Sequence, residues 1–293
     1  MAKARAIVKR RKAVRNIRKI TQTMQLIATA RFQKCLQRAV ASKPYTERIT
    51  QMIEAVSSGD SVEHPLLRPN AAARRTLLLT ISSNRGLCGA YNASVLRNAF
   101  ERRRGLEQGG QSVEMEMVGK KGINYARFLR VDLTQRVTNV EDRIAYSQVA
   151  EMAERYMRRY VAGELARVEI AYMRFVSVAL QRPTVVQLLP IERGEPAGEE
   201  GERRGPRAEF EFSPDAEMLL GRLIPETVKI RLYQCFNDAI VSEQVSRMVA
   251  MKAATDSAGE MIKFLTREYN RARQSQITLE LADIVGGAEA VKA

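Results

Sequence analysis

The stretch ETVKIRLYQCFNDAIVSEQVSRMVAMKAATDSAGEMIKFLTREYNRARQSQITLELADIV, residues 226–285, decides how the rest of the chain is read. It holds no proline and one glycine, Gly259. A single helix of that length would run roughly 90 Å at about 1.5 Å per residue, far beyond an ordinary globular helix, so it needs a partner along its side. Pro225 stands where proline is tolerated at a helix entrance, and Gly286 and Gly287 follow the last apolar pair, Ile284 and Val285. One apolar row runs through Ile230, Tyr233, Ile240, Met251, Ala254, Ala258, Met261 and Leu265, broken by Asn237, Gln244 and Arg247. That spacing predicts a narrow seam against one or two helices, not a helix lying broadly on a core.

The partner is found at the other end of the chain. Residues 1–58 contain no glycine and only Pro44, a kink position, and they repeat apolar or small residues at Val14, Ile17, Thr21, Met24, Ala28 and Cys35, flanked by Ile20 and Ile27. This predicts a second long helix that ends at Ser57-Ser58-Gly59-Asp60. The two ends are expected to pair antiparallel, with Met24 opposite Arg247 and Ile17 opposite Ala254. Residues beyond about 271 then lack a partner and project by roughly 20 Å or more.

Between the ends the pattern changes. Apolar runs at 76–82, 113–118, 131–137 and 167–178 read as strands, alternating with helical patterns at 90–107, 121–129 and 144–162. Such alternation predicts an α/β fold with a mostly parallel sheet, and 184–191 reads as an antiparallel edge strand. Residues 192–209 mix Gly194, Pro196, Gly198, Gly201, Gly205 and Pro206 with charges and are expected to form a mobile surface loop. Phe210 to Phe212 resumes an extended segment, and Ser213-Pro214-Asp215 is a helix entrance. The expected fold is therefore a long antiparallel coiled coil of the terminal helices plus a central Rossmann-like α/β domain. Its parts are residues 1–75 (helix and linker), 76–213 (α/β foot) and 214–293 (second helix with a projecting tip).

Charge is unevenly placed. The chain carries a formal +15, and every charged residue before Glu47 is Lys or Arg, so the excess belongs to the first helix. Such a face is either solvated or directed at an acidic surface: nucleic acid, anionic lipid or an acidic protein ring. Cys35, Cys88 and Cys235 are far apart with no paired spacing, which argues against a disulfide framework or a zinc site. No apolar run approaches the ~20 residues needed to span a bilayer, so a soluble or peripheral protein is expected. The single histidine, His64, sits beside a proline in a predicted loop and reads as a surface residue; no Ser/His/Asp set and no metal-ligand spacing is evident.

The strongest local anomaly is Ser83-Asn84-Arg85-Gly86-Leu87-Cys88-Gly89, a glycine turn between the first strand and a helix. In a doubly wound sheet that position can bind a dinucleotide, since glycines let phosphate approach the helix amino terminus. The spacing is neither GxGxxG nor GxxxxGKT, which favours a close strand-to-helix turn. Met24, Met248, Met251 and Met261 on the rods suit both ordinary packing and an adaptable sliding contact. Two further functions stay open on these residues: a basic coiled coil that binds nucleic acid through residues 1–46, and a nucleotide-dependent enzyme built on the sheet.

At four places the chain resembles the gamma subunit of F-type ATP synthase. They are Arg18-Lys19-Ile20-Thr21-Gln22-Thr23-Met24, Arg85-Gly86-Leu87-Cys88-Gly89, the run from Arg247 to Asp256, and the closing segments Tyr269 to Gln274 and Gln276 to Ala288. The resemblance implies a non-catalytic rotor shaft, without cofactor or metal, inside a ring of three alpha and three beta subunits. The epsilon subunit and the membrane c ring would be its partners at the foot. No nucleic acid is implied, and the membrane is touched only through partners.

The resemblance also assigns residues. Met24 and Arg247 match positions near the moving beta lever, and Arg273, Gln274 and Thr278 match upper contacts with the alpha/beta ring. Phe210 and Phe212 align with aromatic residues that would touch the c ring. The glycine- and proline-rich 192–209 departs from the family pattern, and Leu279 and Ala282 stand where polar residues are common. With no cysteine-paired insertion and no Arg/Ser-rich transit segment, the expected location is the cytoplasmic face of a bacterial cell membrane.

Overall fold

The computed structural model describes the backbone of residues 2–57, 64–140, 142–191 and 216–292, and side chains within 5–38, 64–140, 142–191 and 221–288. Phe210, Phe212 and the 192–209 loop lie outside the described residues. The elements are α1 (Ala2–Ser57), β1 (Arg75–Ile81), α2 (Tyr91–Gln108), β2 (Ser112–Val118), α3 (Lys120–Phe128), β3 (Gln135–Val137), α4 (Tyr146–Val161), β4 (Arg167–Phe175), β5 (Gln181–Leu189) and α5 (Ala216–Lys292). They form two compact units, Met1–Ala30 with Arg247–Ala293, and Arg31–Ser246.

The larger unit is built on a five-stranded sheet of order β3-β2-β1-β4-β5. β1 lies parallel to both β2 and β4, β3 is parallel to β2, and β5 is the antiparallel edge strand, so the alternating α/β reading holds. β1 is buried along six of its seven residues because both faces are covered. Leu77, Leu79 and Ile81 point to one layer, formed by α4 (Val149, Ala153, Tyr156) and by Leu232, Phe236 and Val245 of α5. Leu78 points to the other, against Leu96 and Ala99 of α2 and Ile123 and Ala126 of α3. Each fully buried aliphatic side chain of this kind contributes about 2 kcal/mol of transfer free energy.

Several boundaries differ from expectation for identifiable reasons. α5 starts at Ala216, directly after the expected entrance at Ser213-Pro214-Asp215, and carries Pro225 inside it rather than at its own entrance. Gly286 and Gly287 do not end the helix: glycine permits a left-handed cap without imposing one. Within 224–245, α5 does not present a narrow seam; Ile224, Val228, Leu232, Phe236, Val241 and Val245 are all buried, because this part of the helix lies on the sheet. β3 is three residues long because residues 131–134 are used in leaving α3. Arg130 adopts φ 56°, and the Val131 N–H donates to the Ala126 carbonyl at 2.9 Å.

His64 is not a free surface side chain. It is half-buried, and its Nδ1 accepts from the Leu66 N–H at 3.2 Å, capping the 3-10 turn Pro65–Leu67; burial lowers its pKa, favouring the neutral form that can accept.

Candidate functional site

In the smaller unit α1 and α5 pair antiparallel along a seam with a seven-residue period. Ile7, Val14, Thr21 and Ala28 of α1 recur at that interval, as do Met251, Ala258 and Leu265 of α5; Ile7 is half-buried and the others are buried. A period of seven keeps one edge of each helix on the other, which is coiled-coil packing. Val14 packs with Ala258 and Leu265, the Thr21 and Thr255 hydroxyls are 2.8 Å apart, and the Arg11 guanidinium lies 5.1 Å from the centre of the Tyr269 ring.

This register differs from the expected one, which would have set Thr21 against Ala250 rather than Thr255. Ile17, taken as a seam residue, is 52% exposed, and Met261 is exposed as well. The seam mixes small residues (Thr21, Ala28, Ala258) with bulky ones (Val14, Met251, Leu265), and Ile17 points outward because it does not fall on the seven-residue interval. With the shift, α1 accompanies α5 to about residue 275, and the last turns extend by roughly 25 Å.

The outward surface of this unit is unusually apolar. Ile17, Ile20 and Ile27 are exposed and, with half-buried Met24, form a stripe with spacings of three and four along α1. On α5, Val249, Phe264 and the terminal group Ile277, Leu279, Leu281, Ile284 and Val285 are exposed too. Arg10, Lys12, Arg15 and Lys19 stand exposed among the apolar residues of α1. Contiguous apolar surface of this kind marks an interaction surface. The candidate contacts divide: Arg247 is buried and Met24 half-buried, whereas Arg273, Gln274 and Thr278 are exposed, with the Thr278 hydroxyl donating to the Gln274 carbonyl at 3.0 Å.

The glycines after β2 pack against the end of β1. A Cβ at Gly119, which has φ 93°, would come within 2.2 Å of the Ser82 carbonyl oxygen, and one at Gly122 within 2.6 Å of Ser82 Oγ. The Ser83 N–H donates to Asn92 Oδ1, and at the start of α3 the Lys120 N–H donates to Asn84 Oδ1, the Lys121 N–H to the Ser83 carbonyl and the Gly122 N–H to Ser82 Oγ, so the two strand-to-helix turns are tied to each other. Leu87, inside the turn, has φ 63° and is 59% exposed.

One arrangement escaped the sequence reading. Glu114 and Glu116 sit two apart on β2, and Arg155 and Arg159 four apart on α4. Those intervals are about 6.6 Å and 6.0 Å, so the two pairs align: Arg159 meets Glu114 at 2.9 Å and Arg155 meets Glu116 at 2.7 Å. The Tyr156 hydroxyl also donates to Glu116 at 2.6 Å. Burial raises the Glu116 pKa, with the Tyr156 hydrogen bond and the Arg155 charge opposing it. On the other side of the sheet Arg102 grips buried Glu169 at 2.7 and 2.5 Å. The matching intervals, two on a strand and four on a helix, were the available signal.

Comparison with known proteins is consistent across the chain. The profile of the family described as ATP synthase matches residues 3–291. The ATP synthase gamma chain of Rhodopirellula baltica is 45% identical over 298 residues, covering 100% of both chains. That of Leptospira biflexa is 39% identical over 292 residues, covering 99% of this chain and 100% of the relative. A chain of the Euglena gracilis mitochondrial ATP synthase, solved as OSCP/F1/c-ring in rotational state 3, superposes with a TM-score of 0.69 at 17% identity, covering 99% of this chain and 95% of that one. A chain of the same organism's rotor in rotational state 1 gives 0.65 at 16% identity, over 94% and 99%. At those identities the solved structures speak for the fold.

Proposed function

That this chain belongs to the gamma-chain family of ATP synthase is the premise from which we propose its function: it is the central shaft of an F-type ATP synthase. It couples proton-driven turning of a membrane c ring to the conformational cycle of catalytic beta subunits. The observation that carries this reading is the apolar outward surface of the two-helix rod. Ile17, Ile20, Ile27, Phe264 and the apolar tip stand exposed among the described residues, and they suit the inside of a ring of other subunits. Apolar side chains bind without directional bonds, so a rod so clad can turn against its sleeve without breaking a fixed hydrogen-bond set at every angle.

A shaft has no chemistry of its own to perform. It acts by touching identical catalytic sites differently, and a ligand or contact can shift a conformational equilibrium only by its differential interaction with the two states. The two helices of the rod are unlike in sequence and charge, which supplies that difference. Basic residues on α1 face acidic lever segments of beta, with Met24 and Arg247 nearest the moving parts. Arg273 and Gln274 hold the upper end as directional donors, with Thr278 contributing to the same contact. Phe210 and Phe212 meet the c ring, with epsilon beside them. The part that turns inside the ring is the two-helix unit, Met1–Ala30 with Arg247–Ala293, and the foot is the unit built on the sheet, Arg31–Ser246. Catalysis resides in beta, and the assembly stands on the cytoplasmic face of a bacterial membrane. No helix among the described residues is long and apolar enough to cross a membrane, so attachment is through partners.

Co-expression with alpha and beta subunits tests the role. ATP hydrolysis in the assembled complex, driving proton uptake into inverted vesicles, is the expected result. Met24→Lys should leave assembly intact and lower the protons moved per ATP severalfold, because a charge is placed at the turning contact. Unchanged pumping per ATP would remove Met24 from that contact, and a chain that never joins the complex would end the reading.

A further inference from the structure

We propose that the cleft between β3 and α4 is a binding site for a small phosphate-bearing molecule. The cleft has a volume of about 470 Å³, within the range of small-ligand sites. It is walled by Arg136 at the edge strand and by Arg155 and Arg158 on one face of α4. Arg155 is held in place by buried Glu116 at 2.7 Å, and its guanidinium has further N–H groups beyond the one used there. Arg136 and Arg158 make no side-chain hydrogen bond or ion pair among the described residues. Glu151 on the wall and Glu116 behind it offset two of the three arginines, so one positive charge remains for a ligand to neutralise.

The rim is rigid before any ligand arrives. The Asn84 side-chain amide donates to the Thr138 carbonyl at 3.0 Å and to the Val140 carbonyl at 2.5 Å, fixing the segment that carries Asn139. Asn139 and Gln148 add neutral donors to the wall. The floor is apolar, formed by Val140, Ile144 and Met152. Fork-shaped guanidinium donors match phosphate oxygens, and an apolar floor beside them suits a ring attached to the phosphate.

Calorimetric titration of the full chain with pyrophosphate and, separately, with adenosine diphosphate tests the site. Saturable binding of both, weakened about tenfold by Arg136→Ser and again by Arg158→Ser, is expected. Both side chains are exposed and make no ion pair among the described residues, so the variants should keep the wild-type melting temperature. Binding of the diphosphate nucleotide alone, with the same sensitivity, assigns the ring to the apolar floor; binding of pyrophosphate alone assigns the site to the bare anion. Absence of saturation with either probe at millimolar concentration, or binding that both variants leave unchanged, overturns the proposal.

Discussion

The α/β unit and the two-helix rod obey opposite rules about apolar side chains. In the sheet, Leu77, Leu78 and Leu79 are consecutive and all fully buried, because helices cover both faces. In the rod, burial comes once every seven residues, and neighbours such as Ile20 and Leu26 are more than half exposed. The first region is closed by its own sequence; the second is left to be closed by others. An apolar residue therefore reports core in one and contact surface in the other, and only the period tells them apart.

The largest expected effect opposes two glycines. Gly119→Ala should cost roughly 4 kcal/mol in urea unfolding, since its Cβ would collide with the Ser82 backbone at a positive φ. Gly286→Ala meets nothing within 4 Å and should strengthen the end of α5 by about 1 kcal/mol, read as slower hydrogen exchange there. Equal outcomes would erase the distinction between the regions.

Next comes a pair of aliphatic truncations. Leu79→Ala should lower stability by about 3 kcal/mol, whereas Ile20→Ala, at 59% exposure, should change it by less than about 0.5 kcal/mol while weakening capture by the alpha/beta ring. A large stability loss from Ile20→Ala would mean that the stripe belongs to the rod's own packing.

The last contrast is alkaline. Hydrogen bonds to Glu226 and Glu154 raise the Lys229 pKa to about 12, so its contribution is fully present below the unfolded value of 10.5 and fades as pH rises through about 12. Lys229→Met should therefore reduce the stability of the α/β unit by about 1 kcal/mol at neutral pH, and by progressively less above pH 10.5.

Much of this architecture was legible because it rests on periodicity. Strand and helix alternate visibly from 76 to 191, and the long helices announce themselves by the lack of glycine. What escaped depended on distance rather than pattern. The register of the rod is seen in the Thr21–Thr255 contact and in Val14 packing with Ala258 and Leu265, whereas apolarity alone pointed to Ile17. The broad burial of 224–245 required knowing that this part of α5 lies on a sheet. Of the candidate contacts, exposure at Arg273, Gln274 and Thr278 fits a surface role, but the burial of Arg247 could not be read from a charged residue in a polar break.

The seven-residue period has a mechanical corollary. Helices of 3.6 residues per turn that keep a seam of 3.5 must wind about each other in a left-handed sense. Twist of one hand then tightens the pair and drives Val14 harder against Ala258 and Leu265, while twist of the other hand pries the strip open. Such a shaft is a spring with two stiffnesses, firmer when loaded in one direction than in its reverse.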